Sequence, residues 1–291
     1  MVGRYLTSLL LTEGFKVIHL SRKQNQFGRV RVFRWDPEKE IIDPVIFDGV
    51  DYIIHLAGAN IGEKRWTKKR KKEIIVSRVN TAKLLHKVIS ENNIPLKAFI
   101  SASAIWYYGA LTSEKVFTEE DLPASDFLGT ACRFWEEAAD MFERSGIRTV
   151  KIRTAMVLEK SDSALTNLMT AAKWHLFPVL GGGMQYMPWI HITDLCNIYL
   201  KALQDDKMEG AYNAVAPQHV TFREFMSSLA STMNKSGFRP TVSSVLLKIT
   251  FGEMADILLN GSRVSAGKII NTGCQFTFDS LDKALKDLFK Q

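Results

Sequence analysis

Residues 1–22 read MVGRYLTSLLLTEGFKVIHLSR, and this stretch decides the fold. Its first half places apolar side chains at helical spacing, at Tyr5, Leu6, Leu9 and Leu10. Gly14 is a residue type that commonly ends a helix, and the apolar run over 15–20 is short enough for a buried strand. A helix followed by a glycine and a buried strand is typical of the alternating units of an α/β protein.

The same alternation continues outward from this stretch. Further strands are predicted over 30–35, 52–56, 98–102, 149–157 and 211–215. Helices are predicted over 68–91, 127–144, 165–174, from 193 onward and over 281–289. Strands that are buried on both sides and separated by long helices predict a doubly wound, Rossmann-like parallel sheet covered on both faces. We expect this domain to span 1–216, followed by a smaller and mainly helical lobe over 217–291.

The composition is that of a folded soluble protein, and the cysteines and the absence of targeting segments lead us to expect a cytoplasmic one. The chain has 291 residues, of which 46% are apolar and 24% are charged. Its cysteines, Cys132, Cys196 and Cys274, are isolated, which argues against a disulfide framework or a zinc site. The sequence shows no secretory signal and no apolar run of the roughly 18 residues that a membrane span needs. We therefore expect neither a membrane nor a secretory location.

The net charge of +7 is concentrated in a basic run over 64–72, which reads KRWTKKRKK. The run leads into an apolar-periodic segment, so it is interpreted as the solvated start of a helix. Alternatively, it could bind an anionic small ligand or a nucleic acid. One basic run without a recognisable nucleic-acid-binding module does not indicate a nucleic-acid partner, and we expect a small-molecule substrate instead.

The front of the domain departs from the expected pattern. A doubly wound domain opens with a strand and a glycine-rich turn, whereas here Gly3 supplies only the last glycine before the first helix. In the standard strand order the first strand is central. We therefore expect a sheet that is interrupted or distorted at this position, or one that borrows a strand. The sequence leaves open whether the natural start lies upstream of Met1 or the fold compensates.

Several segments together resemble one family. They are SRK (21–23), FRWDP (33–37), HLAGANI (55–61), KRW (64–66), SR (77–78), SASAIWYYG (101–109), CRFWE (132–136), GGG (181–183), WIHITD (189–194), FGEMA (251–255) and GSRV (261–264). The set resembles the YfcH-like atypical short-chain dehydrogenase/reductases, described as NAD-dependent epimerase or sugar-nucleotide epimerase-like proteins. The resemblance extends over nearly the whole chain from Gly3. From about Thr241 it is to the family's small C-terminal domain.

The resemblance implies an NADP-binding fold, and the residues after the second strand position agree with it. An acidic residue there would accept a hydrogen bond from the 2′-hydroxyl of NAD. Ser21 and Arg22 instead offer hydrogen-bond donors to a 2′-phosphate. We therefore interpret Arg22 as a contact for NADP(H) rather than as an exposed loop arginine without a ligand. Because Gly3 forms only the end of the phosphate turn, we expect the 291-residue chain to bind NADP(H) weakly or not at all.

Small residues mark the end of the next predicted strand. Leu56, Ala57 and Gly58 lie at the carboxyl edge of the sheet, where ligands bind in open parallel sheets. Their backbone could pass close to a nicotinamide ribose, although simple close packing accounts for them equally well. Ser101, at the end of the neighbouring strand, is assigned to the same cofactor site.

The resemblance also points to catalytic residues, with a clear departure. Short-chain dehydrogenases place a Ser or Thr where Ser103 stands and transfer a proton from the Tyr of a YxxxK motif, whose Lys lowers the pKa of that Tyr and holds the ribose. By spacing to Glu136, Leu128 and Cys132 occupy these two positions. Tyr107 and Tyr108 are the available replacements, or they serve only in packing.

Two functions follow from these residues. The first is NADPH-dependent reduction or epimerisation of a small polar substrate, with Ser103 polarising a carbonyl and Tyr107 or Tyr108 as proton donor. The second is a non-catalytic dinucleotide-binding or regulatory protein that has lost the Tyr–Lys pair. His191 is interpreted as a structural histidine rather than a pocket residue. Cys132 lacks an evident histidine partner for nucleophilic catalysis.

Overall fold

The computed structural model describes residues 1–22, 30–160 and 164–290, so Lys23 lies outside the described residues. The helices are α1 (Val2–Thr12), α2 (Lys68–Glu91), α3 (Phe127–Arg144), α4 (Ala164–Lys173), α5 (Ile192–Gln204), α6 (Phe222–Thr232), α7 (Ser244–Phe251), α8 (Asp256–Leu259), α9 (Gly267–Asn271) and α10 (Leu281–Phe289). The strands are β1 (Ile18–Ser21), β2 (Arg31–Arg34), β3 (Tyr52–His55), β4 (Ala98–Ala104), β5 (Val116–Phe117), β6 (Arg148–Thr154), β7 (Met156–Leu158), β8 (Val179–Leu180), β9 (Trp189–His191), β10 (Gly210–Ala214), β11 (Thr241–Val242) and β12 (Arg263–Val264). Short 3₁₀ segments cover Pro44–Phe47, Ile105–Tyr108 and Gly252–Ala255.

The parallel sheet is confirmed, and it is divided. One part has the strand order β10-β6-β4-β3 with every pairing parallel, and the other part is the parallel pair β1-β2. Within the described residues no strand is hydrogen-bonded between β1 and β3. In a doubly wound sheet the central strand occupies that position. The expected interruption is therefore present where the sequence predicts it.

Helix α1 connects the two parts of the sheet. The Thr7 hydroxyl donates to the Gly3 carbonyl and lies 2.8 Å from Nε2 of His19 in β1. At the other end, a Cβ built on Gly3 would lie 3.8 Å from Cδ1 of Leu56, just after β3. The apolar side is narrower than the periodicity predicts, because Tyr5 is 41% exposed and its hydroxyl donates to Glu159.

The strand predicted over 149–157 is in fact two strands, which corrects the sequence prediction. The backbone N–H of Ala155 still donates to Ala214 in the main sheet. The next N–H, that of Met156, donates to Pro188 instead, and β7 then pairs with β9 in parallel. The chain therefore leaves the main sheet at Met156.

Side-chain caps fix the starts of the two long helices. The Thr67 hydroxyl accepts from the backbone N–H of Arg70, and the Asp126 carboxylate accepts from that of Gly129. The lysines in the first turns of α2 are largely solvated, whereas Arg70 is buried and pairs with Glu73. The basic run is therefore the solvated start of a helix, as predicted.

A second apolar core extends from β7 and β9 to the helices near the end of the chain. Trp189 and Phe225 are fully buried there, among side chains of α6 and α10. The Asp194 carboxylate at the start of α5 accepts from the backbone N–H groups of Thr277 and Phe278, which fixes the segment leading to α10. No helix in the described ranges is long and apolar enough to cross a membrane.

Candidate functional site

The loop after β3 is fastened to helix α2. The backbone N–H of Ala59 donates to the Ser77 hydroxyl at 2.9 Å, and Nε2 of His55 lies 2.8 Å from the Thr81 hydroxyl. The Thr81 hydroxyl itself donates to backbone carbonyls of α2. With this hydrogen directed to α2, the Thr81 oxygen is free to accept from His55, which favours the tautomer with the imidazole proton on Nε2. The loop that carries Leu56, Ala57 and Gly58 is thus held in place at the carboxyl edge of the sheet.

His55 is a buried neutral imidazole. Burial, together with the charge of Arg78, lowers the pKa of His55 to about 4. Its Nδ1 is buried without a hydrogen-bond partner in the described part of the chain. Protonation would place a charge and an unpaired N–H in this interior, so acid should weaken the folded state.

We expect the free energy of unfolding to fall by about 2 kcal/mol between pH 7 and pH 5 on account of His55 alone. The folded-state pKa lies below the unfolded value of 6.5, so the unfolded chain takes up the proton first. The contribution is present in full above pH 6.5 and is lost as the pH falls toward 4. Urea unfolding of the unaltered protein and of the His55→Gln variant at both pH values measures this contribution. An equal pH dependence of the unfolding free energy in both proteins would contradict the prediction.

The predicted cofactor residues converge from α1 and β3. The first turn of α1 carries no acidic side chain and no side-chain cap, so its N–H groups can receive a phosphate. A Cβ at Gly3 would meet the described protein atoms only at Leu56, so packing does not require glycine there. These features fit a pyrophosphate close to Gly3. Arg22 is exposed directly after β1.

A buried polar network lies behind the end of β4. Arg153 forms a two-pronged ion pair with Glu136, with both N···O distances at 2.8 Å. The Ser103 hydroxyl donates to the same carboxylate at 2.7 Å. Arg153 also donates to the Tyr108 hydroxyl at 2.9 Å, and Tyr108 donates to Asn213 at 2.8 Å. The network joins α3, β4, β6 and β10.

This network separates the two tyrosines. Tyr108 is 2% exposed, its hydroxyl is hydrogen-bonded on both sides, and burial raises its pKa to about 12. Tyr107 is half-buried, and its ring lies against the Arg153 guanidinium, with Cζ 3.5 Å from the ring centroid. Burial raises the pKa of Tyr107, while Arg153 acts in the opposite direction. Of the two, Tyr107 is the more exposed.

The serines at the end of β4 are less available than expected. Ser101 and Ser103 are both almost fully buried. Ser101 donates to the backbone carbonyl of Ala102, and Ser103 donates to Glu136. A carbonyl-polarising role for Ser103 would require its hydroxyl hydrogen to turn away from Glu136.

Helix α3 presents apolar groups at the positions of the Tyr–Lys pair. Leu128 and Cys132 are both buried. Burial raises the pKa of the Cys132 thiol to about 12, so the thiol is protonated and uncharged at neutral pH. A nucleophilic cysteine needs a lowered pKa, and Cys132 has the opposite.

Sequence reasoning missed the charged members of the site. Glu136 was used only to locate the Tyr and Lys positions of the YxxxK motif. Arg153 was not singled out, because it lies in the predicted strand over 149–157. The basic residue at an inward-facing position of that strand was the available signal, because a buried arginine requires a partner. Its partner lies on another element, which the sequence does not identify.

His191 has the structural role that the sequence favoured. Its Nδ1 accepts from the backbone N–H of Thr193 and so caps α5, and its ring packs against Phe278 at a centroid distance of 3.8 Å. Burial lowers the pKa of His191 to about 4, so the ring is neutral at physiological pH.

An open cavity of about 440 Å³ lies between the loop after β8 and the segments around α7 and α8. It is lined by Gly181, Gly182, Thr241, Ser243, Ser244, Lys248, Leu259 and Asn260. None of the predicted cofactor or catalytic residues lines it. We therefore assign the cavity no part in the chemistry at the carboxyl edge of the sheet.

The divided parallel sheet, the helix N-terminus at Gly3 and the polar groups at the carboxyl edge define a Rossmann-like protein of the dinucleotide-binding class. Residues 1–214 match the model of the NAD dependent epimerase/dehydratase family, and residues 242–288 match a domain of unknown function, DUF1731. The chain belongs to the NAD dependent epimerase/dehydratase family, and it is similar to the atypical members that the sequence resembles.

Relatives from distant organisms match over nearly their full lengths. The chain is 34% identical to the epimerase family protein SDR39U1 of Mus musculus, over 99% of this chain and 96% of the relative. It is 30% identical to the epimerase family protein YfhF of Bacillus subtilis, over 99% of this chain and 94% of that relative. The crystal structure of human SDR39U1 (isoform 2) with NADPH superposes with a TM-score of 0.87 at 29% identity, over 99% of this chain and 95% of that chain.

A more distant likeness supports the fold alone. The UDP-glucose 4-epimerase of Thermotoga maritima, solved with UDP-glucose, has a TM-score of 0.80 at 16% identity. It covers 98% of this chain and 93% of that chain. At this identity no residue role is carried over.

Proposed function

We propose that the protein is an NADPH-dependent oxidoreductase or epimerase of the atypical short-chain dehydrogenase type, acting on a small polar substrate with a carbonyl or hydroxyl group. The observation that carries the proposal is the half-buried phenol of Tyr107 against the Arg153 guanidinium at the end of β4. The human relative whose structure includes NADPH supports the choice of cofactor. A cytoplasmic location, a C-terminal lobe over 217–291 and the absence of nucleic-acid and membrane partners are part of the same proposal.

The chain's own groups would handle the proton. NADPH would supply a hydride to the carbonyl carbon of the substrate when bound. Tyr107 keeps its proton at neutral pH because burial raises its pKa, so it suits a general acid that protonates the carbonyl oxygen. The Arg153 guanidinium, whose Cζ lies 3.5 Å from the centroid of the Tyr107 ring, lowers the cost of the phenolate that remains. Arg153 thereby performs one task that the lysine performs in YxxxK enzymes.

The cofactor would be held by residues of α1, β1 and the loop after β3. The N-terminus of α1 at Gly3 would face the pyrophosphate. Ser21 and Arg22 would bind the 2′-phosphate, and the backbone of Leu56, Ala57 and Gly58 would lie beside the nicotinamide half. Ser101 would support this edge from β4 rather than contact the cofactor directly, because it is buried.

Replacing Arg22 with alanine should weaken NADPH binding by about 10- to 100-fold and leave NADH binding unchanged, because a charge-assisted hydrogen bond contributes roughly 1.5–3 kcal/mol. Titration of both nucleotides by fluorescence measures the effect. Arg4, in the first turn of α1, provides a matched exposed arginine, and Arg4→Ala should not change the preference between the two nucleotides. Equal losses for NADPH and NADH in Arg22→Ala would remove Arg22 from the 2′-phosphate site.

A non-catalytic dinucleotide-binding protein is the second candidate. The observation in its favour is that the hydroxyls of Ser103 and Tyr108 are both engaged inside the buried network. A redox and epimerisation screen with NADPH separates the two candidates. Turnover of any carbonyl or sugar-nucleotide substrate that is lost in Tyr107→Phe supports the enzyme, and binding without turnover supports the second candidate.

A further inference from the structure

Arg78 of helix α2 lies directly against the loop after β3. Its Nη1 donates to the backbone carbonyl of Ala59 at 3.1 Å and to that of Ile74 at 2.9 Å. A Cβ built on Gly58 would lie only 2.9 Å from the Arg78 Cζ. Glycine at 58 is therefore what allows the guanidinium to lie at the end of the strand.

The guanidinium has no counter-charge in the described part of the chain. It stacks over the indole of Trp135, with Cζ 4.7 Å from the ring centroid, and the titratable groups that act on it are the neutral Cys132 thiol and another cation, Arg70. Both of these hydrogen bonds use Nη1, which leaves Nε and Nη2 as donors. An arginine stays charged at all physiological pH values, so this edge carries a fixed cation with unused N–H groups.

The position of Arg78 indicates which part of a ligand it meets. A dinucleotide crosses the crevice at the carboxyl ends of the strands, where the strand order reverses. Arg22, after β1, lies on the side of the adenosine half, so β3 and β4 lie under the nicotinamide half. We propose that Arg78 binds the nicotinamide-side ribose through its unused N–H groups, an inference that rests on the proposed NADPH-dependent function.

This assignment explains how the site works with Cys132 in helix α3. The lysine of a YxxxK motif both holds the ribose and lowers the pKa of the tyrosine. In this chain the two tasks are divided. Arg153 lies against Tyr107, and Arg78 reaches the ribose from α2 over the face of Trp135.

Two probes distinguish this role from a structural one. NADPH carries both halves of the dinucleotide, whereas adenosine 2′,5′-bisphosphate carries only the adenosine half with its 2′-phosphate. Each is titrated by calorimetry against the full 291-residue chain, at concentrations high enough for weak binding. Arg78→Met should weaken NADPH about 10-fold and change adenosine 2′,5′-bisphosphate less than 2-fold, because one charge-assisted contact is lost in one half only. Arg22→Ala should weaken both ligands.

Two further variants keep the test informative if Arg78→Met lowers the melting temperature. Arg78→Lys keeps the positive charge but loses the planar fork, so it should weaken NADPH selectively and by less than Arg78→Met does. Gly58→Ala displaces the guanidinium and should reproduce the selective loss of NADPH affinity. Equal weakening of both ligands by Arg78→Met, or unchanged NADPH binding, would overturn the assignment. If the unaltered chain binds neither ligand even at these concentrations, the incomplete phosphate turn at Gly3 is insufficient, and the proposed function fails together with the assignment; this result is distinguishable from a selective loss.

Discussion

Replacing Tyr107 with phenylalanine should lower turnover at least about 100-fold, which is the usual contribution of general acid–base catalysis to a rate. The variant keeps the ring that packs on Arg153 and removes only the hydroxyl. The hydride-transfer geometry is then unchanged, so the loss should be in kcat rather than in nucleotide affinity. Initial rates of NADPH oxidation, with any substrate that the screen identifies, measure the effect.

Tyr108→Phe is the matched control for this prediction. The neighbouring hydroxyl is buried between Arg153 and Asn213, so its removal should lower stability more than it lowers turnover. Leaving a buried acceptor unpaired costs about 1–3 kcal/mol of unfolding free energy. Full activity in Tyr107→Phe together with lost activity in Tyr108→Phe would show that Tyr108, and not Tyr107, transfers the proton.

The largest stability effect is expected at Glu136. Glu136→Leu should lower the free energy of unfolding by about 3–5 kcal/mol, because it leaves Arg153 charged and unpaired in the interior. The two side chains are only 6% and 3% exposed. Chemical unfolding monitored by circular dichroism measures the loss.

Two comparisons test the cause of that loss. The double variant Glu136→Leu/Arg153→Met should be less destabilised than the sum of its single variants, because neither charge is then left alone. On the exposed face of the same helix, Arg133 pairs with Glu137 at 2.5 Å, and Arg133→Met should change stability by less than about 1 kcal/mol. Additive losses in the double variant would show that the ion pair is not the reason.

The first residues of the two long helices could be predicted from the sequence. The segments 68–91 and 127–144 combine an apolar stripe with a capping residue, Thr67 or Asp126, directly before the first turn. Both signals are local, so they do not depend on the rest of the fold. The interruption of the sheet at β1 and β3 was likewise predictable, because strand order follows from the alternation of elements.

The division of 149–157 into β6 and β7 was beyond the sequence. It depends on hydrogen-bond partners, Ala214 and Pro188, that lie tens of residues away. The two tyrosines show the same limitation within the site. Tyr107 and Tyr108 are adjacent and identical in type, and only contacts with Arg153 and Asn213, on other strands, bury one and leave the other accessible.

The central claim is that NADPH binds at the divided part of the sheet, over the N-terminus of α1. The most direct test joins an apolar strand and a glycine-rich turn, about a dozen residues in all, ahead of Met1. A control carries the same number of Gly and Ser residues, and NADPH is titrated against both by fluorescence.

The strand should enter between β1 and β3 and complete the phosphate turn at Gly3. We predict at least a 10-fold gain in NADPH affinity over the control, about 1.4 kcal/mol, together with a higher melting temperature. Equal NADPH affinity in the two lengthened chains would contradict the account.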